Sequence, residues 1–342
     1  MKKNVLILAI MQFAFNLIAQ SPILLKDINV GTSSSINSYT PGVSSPRYIV
    51  GFNKKAYFAA NDNKNGVELW QSDGTANGTI LLKDINVGTA SSDPENFIEY
   101  NGALYFTANT ADHGEELWKT DGTAAGTVLV KDIRPGATGS DSSKITVANG
   151  KLYFGATGEN NEKEPHISDG TASGTSMLKD LPSIAFGSFP GGFIEQNGFV
   201  YFYAGAFGDD YGTQIWKTNG TESGTELIYE TQCLSNLYSS GNYILFKAGF
   251  KDNELWKSDG TTAGTTLLIN TLDNPKFFTR YNNKDFFISG GVAWETDGTT
   301  DNTKKIDNLA ISKSSNDFND ILLCKNILYL KGTPRNALPS NT

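Results

Sequence analysis

The fold class expected from the sequence is all-β: a seven-bladed β-propeller of four-stranded antiparallel blades, its seventh blade incomplete and closed by the N-terminal strand. Three observations predict it. The composition suits strands and tight turns, with 35 Gly, 3 Met and 11% aromatic residues in 342, and the apolar stretches favour Tyr, Phe, Ile, Val and Thr. Three phrases recur in fixed order with a period of 42–48 residues, and four strands at that period are the mark of a propeller blade. No stretch keeps a 3.6-residue apolar period, so helices are expected to be nearly absent.

The first phrase supplies strands a and b. It is "NGALYF" at Asn101, "NGKLYF" at Asn149 and "NGFVYF" at Asn197, with looser copies at Asn53, Gly241, Asn283 and Lys325. Asn-Gly between apolar runs signals a hairpin, because both residues tolerate the positive φ of a type I′ turn. The second phrase supplies strand c and a turn: "ELWQSDGT" at Glu68, "ELWKTDGT" at Glu116, "EPHISDGT" at Glu164, "QIWKTNGT" at Gln214, "ELWKSDGT" at Glu254 and "VAWETDGT" at Val292. All five tryptophans, Trp70, Trp118, Trp216, Trp256 and Trp294, lie in it. The third phrase, "ILLKDI" or "VLVKDI", is strand d.

Counted this way the chain has seven a–b hairpins and seven d strands, because "ILLKDI" also occurs at Ile23–Ile28, but only six c strands. The expected organisation is a signal peptide over 1–19, a propeller over 20–330 and a tail over 331–342. Blades are expected near 44–86, 96–133, 144–181, 193–231, 233–271 and 276–308, with a split seventh from 318–330 and 22–28. Such a split hides sheet edges and locks a ring. The last 12 residues hold neither the Trp nor the Asp-Gly-Thr of a c strand, which makes the seventh blade the expected weak point.

Lys2 and Lys3 precede an apolar stretch from Val5 to Ile18 that ends at Ala19. This reads as a secretory signal peptide, too short and too interrupted for a membrane span. No later stretch reaches the ~18 apolar residues of a transmembrane helix. Net charge is −8, and −10 once the two lysines of the leader are gone. An acidic surface without a basic run argues against nucleic acid and anionic membranes as partners. Export permits a disulfide, but Cys233 and Cys324 fall in different units, so two free or buried thiols are expected. The chain is expected to be a monomer.

The phrase Glu-Leu-Trp-x-x-Asp-Gly-Thr, in six copies across nearly the whole mature chain, resembles the ELWxxDGT repeat proteins, a family of secreted bacterial proteins common in Bacteroidetes. The resemblance implies a propeller-like secreted or cell-surface protein of unsettled molecular function, often cargo of the type IX secretion system with a C-terminal sorting domain. No such domain follows the hairpin here, which departs from the family. Copy three has Pro165-His166 in place of Leu-Trp, and copy six has Val292-Ala293 in place of Glu-Leu.

The repeated residues have structural readings. A strand places Glu68, Trp70 and Ser72 on one face, and blades are packed on both faces, so each Trp is expected in inter-blade core. Burial of roughly 150–250 Å² of aromatic surface stabilises by at most about 4–6 kcal/mol; sugar-stacking platforms are the alternative use. Asp73, Asp121, Asp169, Asp259 and Asp297 fit Asx turns, with Gly74, Gly122, Gly170, Gly220, Gly260 and Gly298 supplying positive φ. Those five Asp are also weak calcium candidates, but Asn219 holds the same place without a charge and the calcium-loop spacing is absent. No other cofactor is expected. A buried Glu in the Trp-facing position (Glu68, Glu116, Glu164, Glu254) needs a partner: either the Lys of Lys-Asp-Ile (Lys83, Lys131, Lys179) or backbone N–H groups of a neighbouring loop.

Catalytic constellations are thin. Of the two histidines, His113 falls in a loop and His166 in a Trp slot, where it reads as a core variant rather than a ligand. No catalytic residue is assigned. Three functional readings follow: a secreted binding or scaffold module for a glycan or protein, a polysaccharide-active hydrolase or lyase using paired carboxylates at the propeller mouth, or a purely structural surface protein. An enzyme should gather non-repeat acids or His at one mouth.

Overall fold

The computed structural model describes residues 25–28, 47–182, 187–205, 212–249, 252–310, 321–324, 327–330 and 333–334. The expected signal peptide lies outside them, as do Ile23, Leu24 and most of the tail. No helix occurs among the described residues, and so none is long and apolar enough to cross a membrane.

The chain builds one antiparallel sheet after another, each in simple a-b-c-d order. The first blade is β1(Arg47–Phe52), β2(Lys55–Asn61), β3(Val67–Ser72) and β4(Ile80–Lys83). The second is β5(Glu95–Tyr100), β6(Ala103–Thr110), β7(Gly114–Thr120) and β8(Val128–Lys131). The third is β9(Thr146–Ala148), β10(Lys151–Thr157), β11(Lys163–Ser168) and β12(Ser176–Met177). The fourth is β13(Gly191–Gln196), β14(Phe199–Ala204), β15(Gly212–Thr218) and β16(Glu226–Ser240). The fifth shares β16 and adds β17(Tyr243–Ala248), β18(Glu254–Ser258) and β19(Thr266–Ile269). The sixth is β20(Lys276–Tyr281), β21(Lys284–Ser289), β22(Val292–Thr296) and β23(Lys304–Ala310). A two-stranded hairpin follows, β24(Ile321–Cys324) and β25(Ile327–Leu330), and then β26(Thr333–Pro334), which pairs with Leu309–Ala310 of β23. First strands of successive blades adjoin: β1 beside β5, β5 beside β9, β9 beside β13, and β20 beside β24. The architecture is therefore β-propeller-like, with six complete four-stranded blades.

Two expectations need correction. The d strand of the fourth blade and the a strand of the fifth are one 15-residue strand, β16, which merges two blades into a seven-stranded sheet. "IYETQCLSNLYSS" contains neither Gly nor Pro, so nothing breaks the extended chain between the two ladders. In the sixth blade the hairpin turn is Asn282–Asn283, both at positive φ, one residue before the expected register at Asn283. The other hairpin turns behave as Asn-Gly predicts: Asn101–Gly102, Asn149–Gly150 and Asn197–Gly198 are all at positive φ.

The core lies between blades. Trp118 of the second blade packs with Leu82 and Ile85 of the first. Trp216 meets Leu178 and Leu181 of the third blade, Trp256 meets Ile228 and Tyr229 of the fourth, and Trp294 meets Leu268 and Leu272 of the fifth. Every one of these indoles seals its blade onto the d strand before it. Trp70 has the same role at the first blade: its cluster is Phe58 and Ala60 with Ile28 of the N-terminal segment.

The glycine of Asp-Gly-Thr is required twice over. Its φ lies between +86° and +94° in all six copies, where an L side chain costs about 1–2 kcal/mol. It also receives a tyrosine from the preceding blade: a Cβ on Gly122 would lie 2.6 Å from the Tyr57 hydroxyl, whereas one on Gly74 meets nothing within 4 Å. Gly122→Ala is therefore expected to cost about 2–4 kcal/mol and Gly74→Ala only about 1. Chemical denaturation checks the pair, and Tyr57→Phe should recover part of the Gly122→Ala loss, since it removes the clashing oxygen.

Candidate functional site: a charged cavity at one mouth

The residues that repeat are occupied by packing and turns. Asp73 Oδ1 accepts from the Thr75 N–H at 2.9 Å and from the Thr75 hydroxyl at 2.7 Å. Asp121, Asp169, Asp259 and Asp297 do the same with Thr123, Thr171, Thr261 and Thr299. Asn219 makes both bonds without a charge, so the turn needs an oxygen and not an anion. The threonine bonds hold the carboxyls of Asp73, Asp121, Asp169 and Asp297 below the usual range. Each calcium candidate sits alone at its own blade's corner. The only gathering of three potential ligands among the described residues is Glu162, Glu164 and Asp180, and Glu164 is already saturated by Leu181 and Ser188.

Glu68, Glu116 and Glu164 are fully buried, and backbone amides, not lysine, are their partners. Glu68 accepts from the N–H groups of Ile85 (2.8 Å), Asn86 (3.4 Å) and Ser92 (2.9 Å) and from the Ser92 hydroxyl (2.6 Å). Glu116 takes Ile133 and Arg134, each at 3.0 Å. These latches collect the amides of the loop that carries strand d into the next blade. Where β16 runs straight there is no such loop; Gln214 there bonds Trp216 Nε1 at 3.1 Å instead. Lys83, Lys131 and Lys179 reach across to the next blade, donating to the carbonyls of Thr127, Thr175 and Thr225 at 2.7–2.8 Å.

The residues that break the repeat are the informative ones. Antiparallel order puts the start of strand a, the end of b and the start of c at the same mouth. At the start of strand a the repeats carry Arg47, Glu95, Ser143, Gly191, Ser235 and Lys276; just before the latch position they carry Val67, Glu115, Lys163, Thr213 and Asn253. Between the first and second blades these open a cavity of about 490 Å³ lined by Arg47, Asn61, Asp93, Glu95, Asn109 and Glu115. Arg47 and Asp93 pair loosely at 3.5 Å on its rim. Glu115 is partly buried, and its Oε1 is sealed from solvent without a hydrogen-bond partner. Burial, reinforced by the negative charges of Glu95 and Asp141, pushes Glu115 up to about 7, against the pull of the Ser142 N–H and Lys163. Lys163, its side chain only 3% exposed, pairs with Asp141 at 3.1 Å. Further round the same mouth, buried Lys247 holds Asp252 at 3.2 Å and Asn274 at 3.0 Å. Chemically the cavity offers one carboxyl that exchanges its proton near neutral pH, carboxylates, a guanidinium and two amides.

Sequence reading found none of these residues. The signal was there: lining up the six copies shows Glu115 and Lys163 where siblings have Val, Thr or Asn. The same comparison exposes Asp285, fully buried at a position held by Leu104, Leu152, Val200 and Ile244 in other blades. It is held by Arg280 (3.0 Å), the Tyr243 hydroxyl (2.8 Å) and the Ser240 hydroxyl, at the opposite mouth. His166 is core, 3% exposed, stacked on Phe154 and pushed down to about 4 by burial. His113 pairs with Asp132 at 2.8 Å on the surface. The side chains of Cys233 and Cys324 lie outside the described residues.

No protein-family model matches the chain, and no curated protein is found similar to it. Solved structures similar in fold include the dihydro-haem d1 dehydrogenase NirN in complex with DHE, with a TM-score of 0.50, 11% identity, and 78% of this chain and 57% of that one covered. BamB from Moraxella catarrhalis gives 0.44 and 12%, covering 74% and 72%. A prolyl endopeptidase gives 0.45 and 9%, covering 75% and 42%. The chain thus spans roughly half the length of the dehydrogenase and the endopeptidase (57% and 42%). At these identities the likeness concerns architecture alone; the order of the sheets is what gives the chain a β-propeller-like, all-β fold.

Proposed function

We propose that this is a secreted binding module of the ELWxxDGT type, a seven-bladed ring that takes a glycan at the mouth where Glu95 and Glu115 meet. One observation carries the reading: the repeated residues are consumed by packing, while the charged residues that depart from the repeat gather around one cavity. Alternating donors and acceptors (Arg47, Asn61, Asn109, Glu95 and the carboxyl of Glu115) suit the hydroxyls of a sugar, and the half-exposed ring of Tyr48 on the wall suits a sugar face. The signal-like leader and the repeat support export. Seven blades are supported by the hairpin β24–β25 beside β20 and by the contacts of the N-terminal segment Leu25–Ile28 described below.

A second reading has its own observation. Glu115 pushed up to about 7 beside Glu95 matches an acid paired with a carboxylate, the division of labour in glycoside hydrolysis. A glycan array followed by polysaccharide digestion with wild type and Glu115→Gln separates the readings. A module binds without turnover, and Glu115→Gln weakens its binding about tenfold, the worth of one hydrogen bond to a charged or strongly polar group. An enzyme releases reducing ends, and the substitution abolishes release while sparing binding. No binding and no hydrolysis by wild type leaves the structural protein.

A further inference from the structure

Five blades place an indole in the same slot, and the third places His166 there. The slot is defined by its floor and its back wall. Trp256 lies over Phe246 with centroids 6.1 Å apart and planes at 14°, and Trp294 lies over Phe287 at 6.0 Å and 13°. His166 lies over Phe154 in the same way, at 5.9 Å and 22°. The back wall is the d strand of the preceding blade: Ile85 behind Trp118, and Ile133 in the corresponding place behind His166. An imidazole covers the floor but lacks the second ring that fills the slot elsewhere. What remains is a cavity of about 360 Å³ lined by His166, Ile133, Asp132, Asn160, Ser176 and Met177.

The strand opposite His166 has its own features. Met177 pairs with His166 across the ladder as Leu81 pairs with Trp70 and Leu129 with Trp118. Met177 is 42% exposed, as Leu227 opposite Trp216 is at 40%, while Leu81 and Leu129 are half-buried; the Met177 side chain is therefore accessible beside the histidine. Strand β12 is also two residues long where β4, β8 and β19 have four, and Pro165 beside His166 removes one amide donor from strand c.

We propose that this cavity binds a planar aromatic group of indole size, seated between Ile133 and the His166–Met177 pair where other blades seat their own tryptophan. The chain itself shows that the surrounding backbone accepts such a ring in five other places. Asp132 Oδ1 on the wall is buried without a partner and suits a ring N–H, but Asp84 Oδ1 is equally unpaired in the first blade's copy of this strand. Shape carries the fit. The ring has two possible sources, a free aromatic molecule or an exposed Trp side chain of a polypeptide.

The chain has three methionines, Met1, Met11 and Met177, so methyl-labelled methionine gives an assignable reporter on the cavity. Indole titrated into the wild-type protein is expected to shift the Met177 methyl signal saturably in the millimolar range. His166→Trp, which restores the residue of the other five blades, should fold, raise the melting temperature and weaken the indole response at least tenfold; His166→Ala, which enlarges the cavity, should keep or strengthen it. Repeating the titration with a short Trp-containing peptide assigns the source: response to indole alone means a free aromatic molecule, response to both means a side chain. No saturable shift with either ligand, or an undiminished response in a folded His166→Trp, overturns the proposal.

Discussion

Deleting residues 21–30 is expected to lower the melting temperature by about 5 °C, the equivalent of roughly 3–5 kcal/mol in a chain of this size. The reason is that Leu25–Ile28, which forms no strand and pairs with no sheet although one was expected there, lies where a d strand would stand in front of the first blade. Lys26 donates to the Thr79 carbonyl at 2.6 Å, as Lys83, Lys131 and Lys179 donate to Thr127, Thr175 and Thr225. Ile28 packs on Trp70 as Ile85 packs on Trp118. Without the strap, Trp70 and Phe58 lose their cover and the Thr79 carbonyl its partner. Single changes apportion the effect: Ile28→Ala should cost about 2 kcal/mol through lost burial, and Lys26→Ala about 1 kcal/mol or less at its exposed site. Differential scanning calorimetry reads all three. An unchanged transition on deletion means that the N-terminal segment closes no blade, and the split-blade proposal is then wrong.

Glu68→Ala is expected to cost about 3–5 kcal/mol, because it leaves the buried amides of Ile85 and Asn86 with no acceptor and Ser92 with the Val67 carbonyl alone. Glu68→Gln should cost less, since one acceptor oxygen remains. The three latches also set a pH dependence. Burial pushes Glu68, Glu116 and Glu164 from 4.5 up to about 7, although their hydrogen bonds pull the other way. The folded state therefore holds these protons more tightly than the unfolded state does. The corresponding stabilisation is complete below pH 4.5 and is lost as pH rises through 7. Each group contributes at most roughly 3 kcal/mol to this change. Stability measured by denaturant at pH 5, 6, 7 and 8 should fall along that series, and the fall should be shallower in Glu68→Gln. A flat profile in the wild-type protein would mean that the latches stay ionised throughout, held by their donors.

The sixfold recurrence made most of the fold legible. Asn-Gly turns, the Trp-bearing strand and the Asp-Gly-Thr turn each state a local preference, and all of them agree with the same four-stranded unit. Trp70, Trp118, Trp216, Trp256 and Trp294 occupy one position of that unit, and each packs between blades. The merging of two blades by β16 was less visible, although the absence of Gly and Pro between Ile228 and Ser240 signals it. The partners of the buried glutamates were half legible: burial demanded a donor, but the choice between lysine and loop amides depended on where the loops go.

By itself the sequence determined the repeating unit, its strand order, its turn chemistry and its core positions, because these depend on residues close together in the chain. Only the tertiary structure decided which departures from the repeat meet. Glu95 and Glu115 share a cavity with Arg47 because strand starts from two blades converge at one mouth, and His166 leaves a ring-sized opening because the preceding blade supplies a fixed wall. Both depend on contacts between neighbouring blades, tens of residues apart in the chain, and no local preference encodes such a distance.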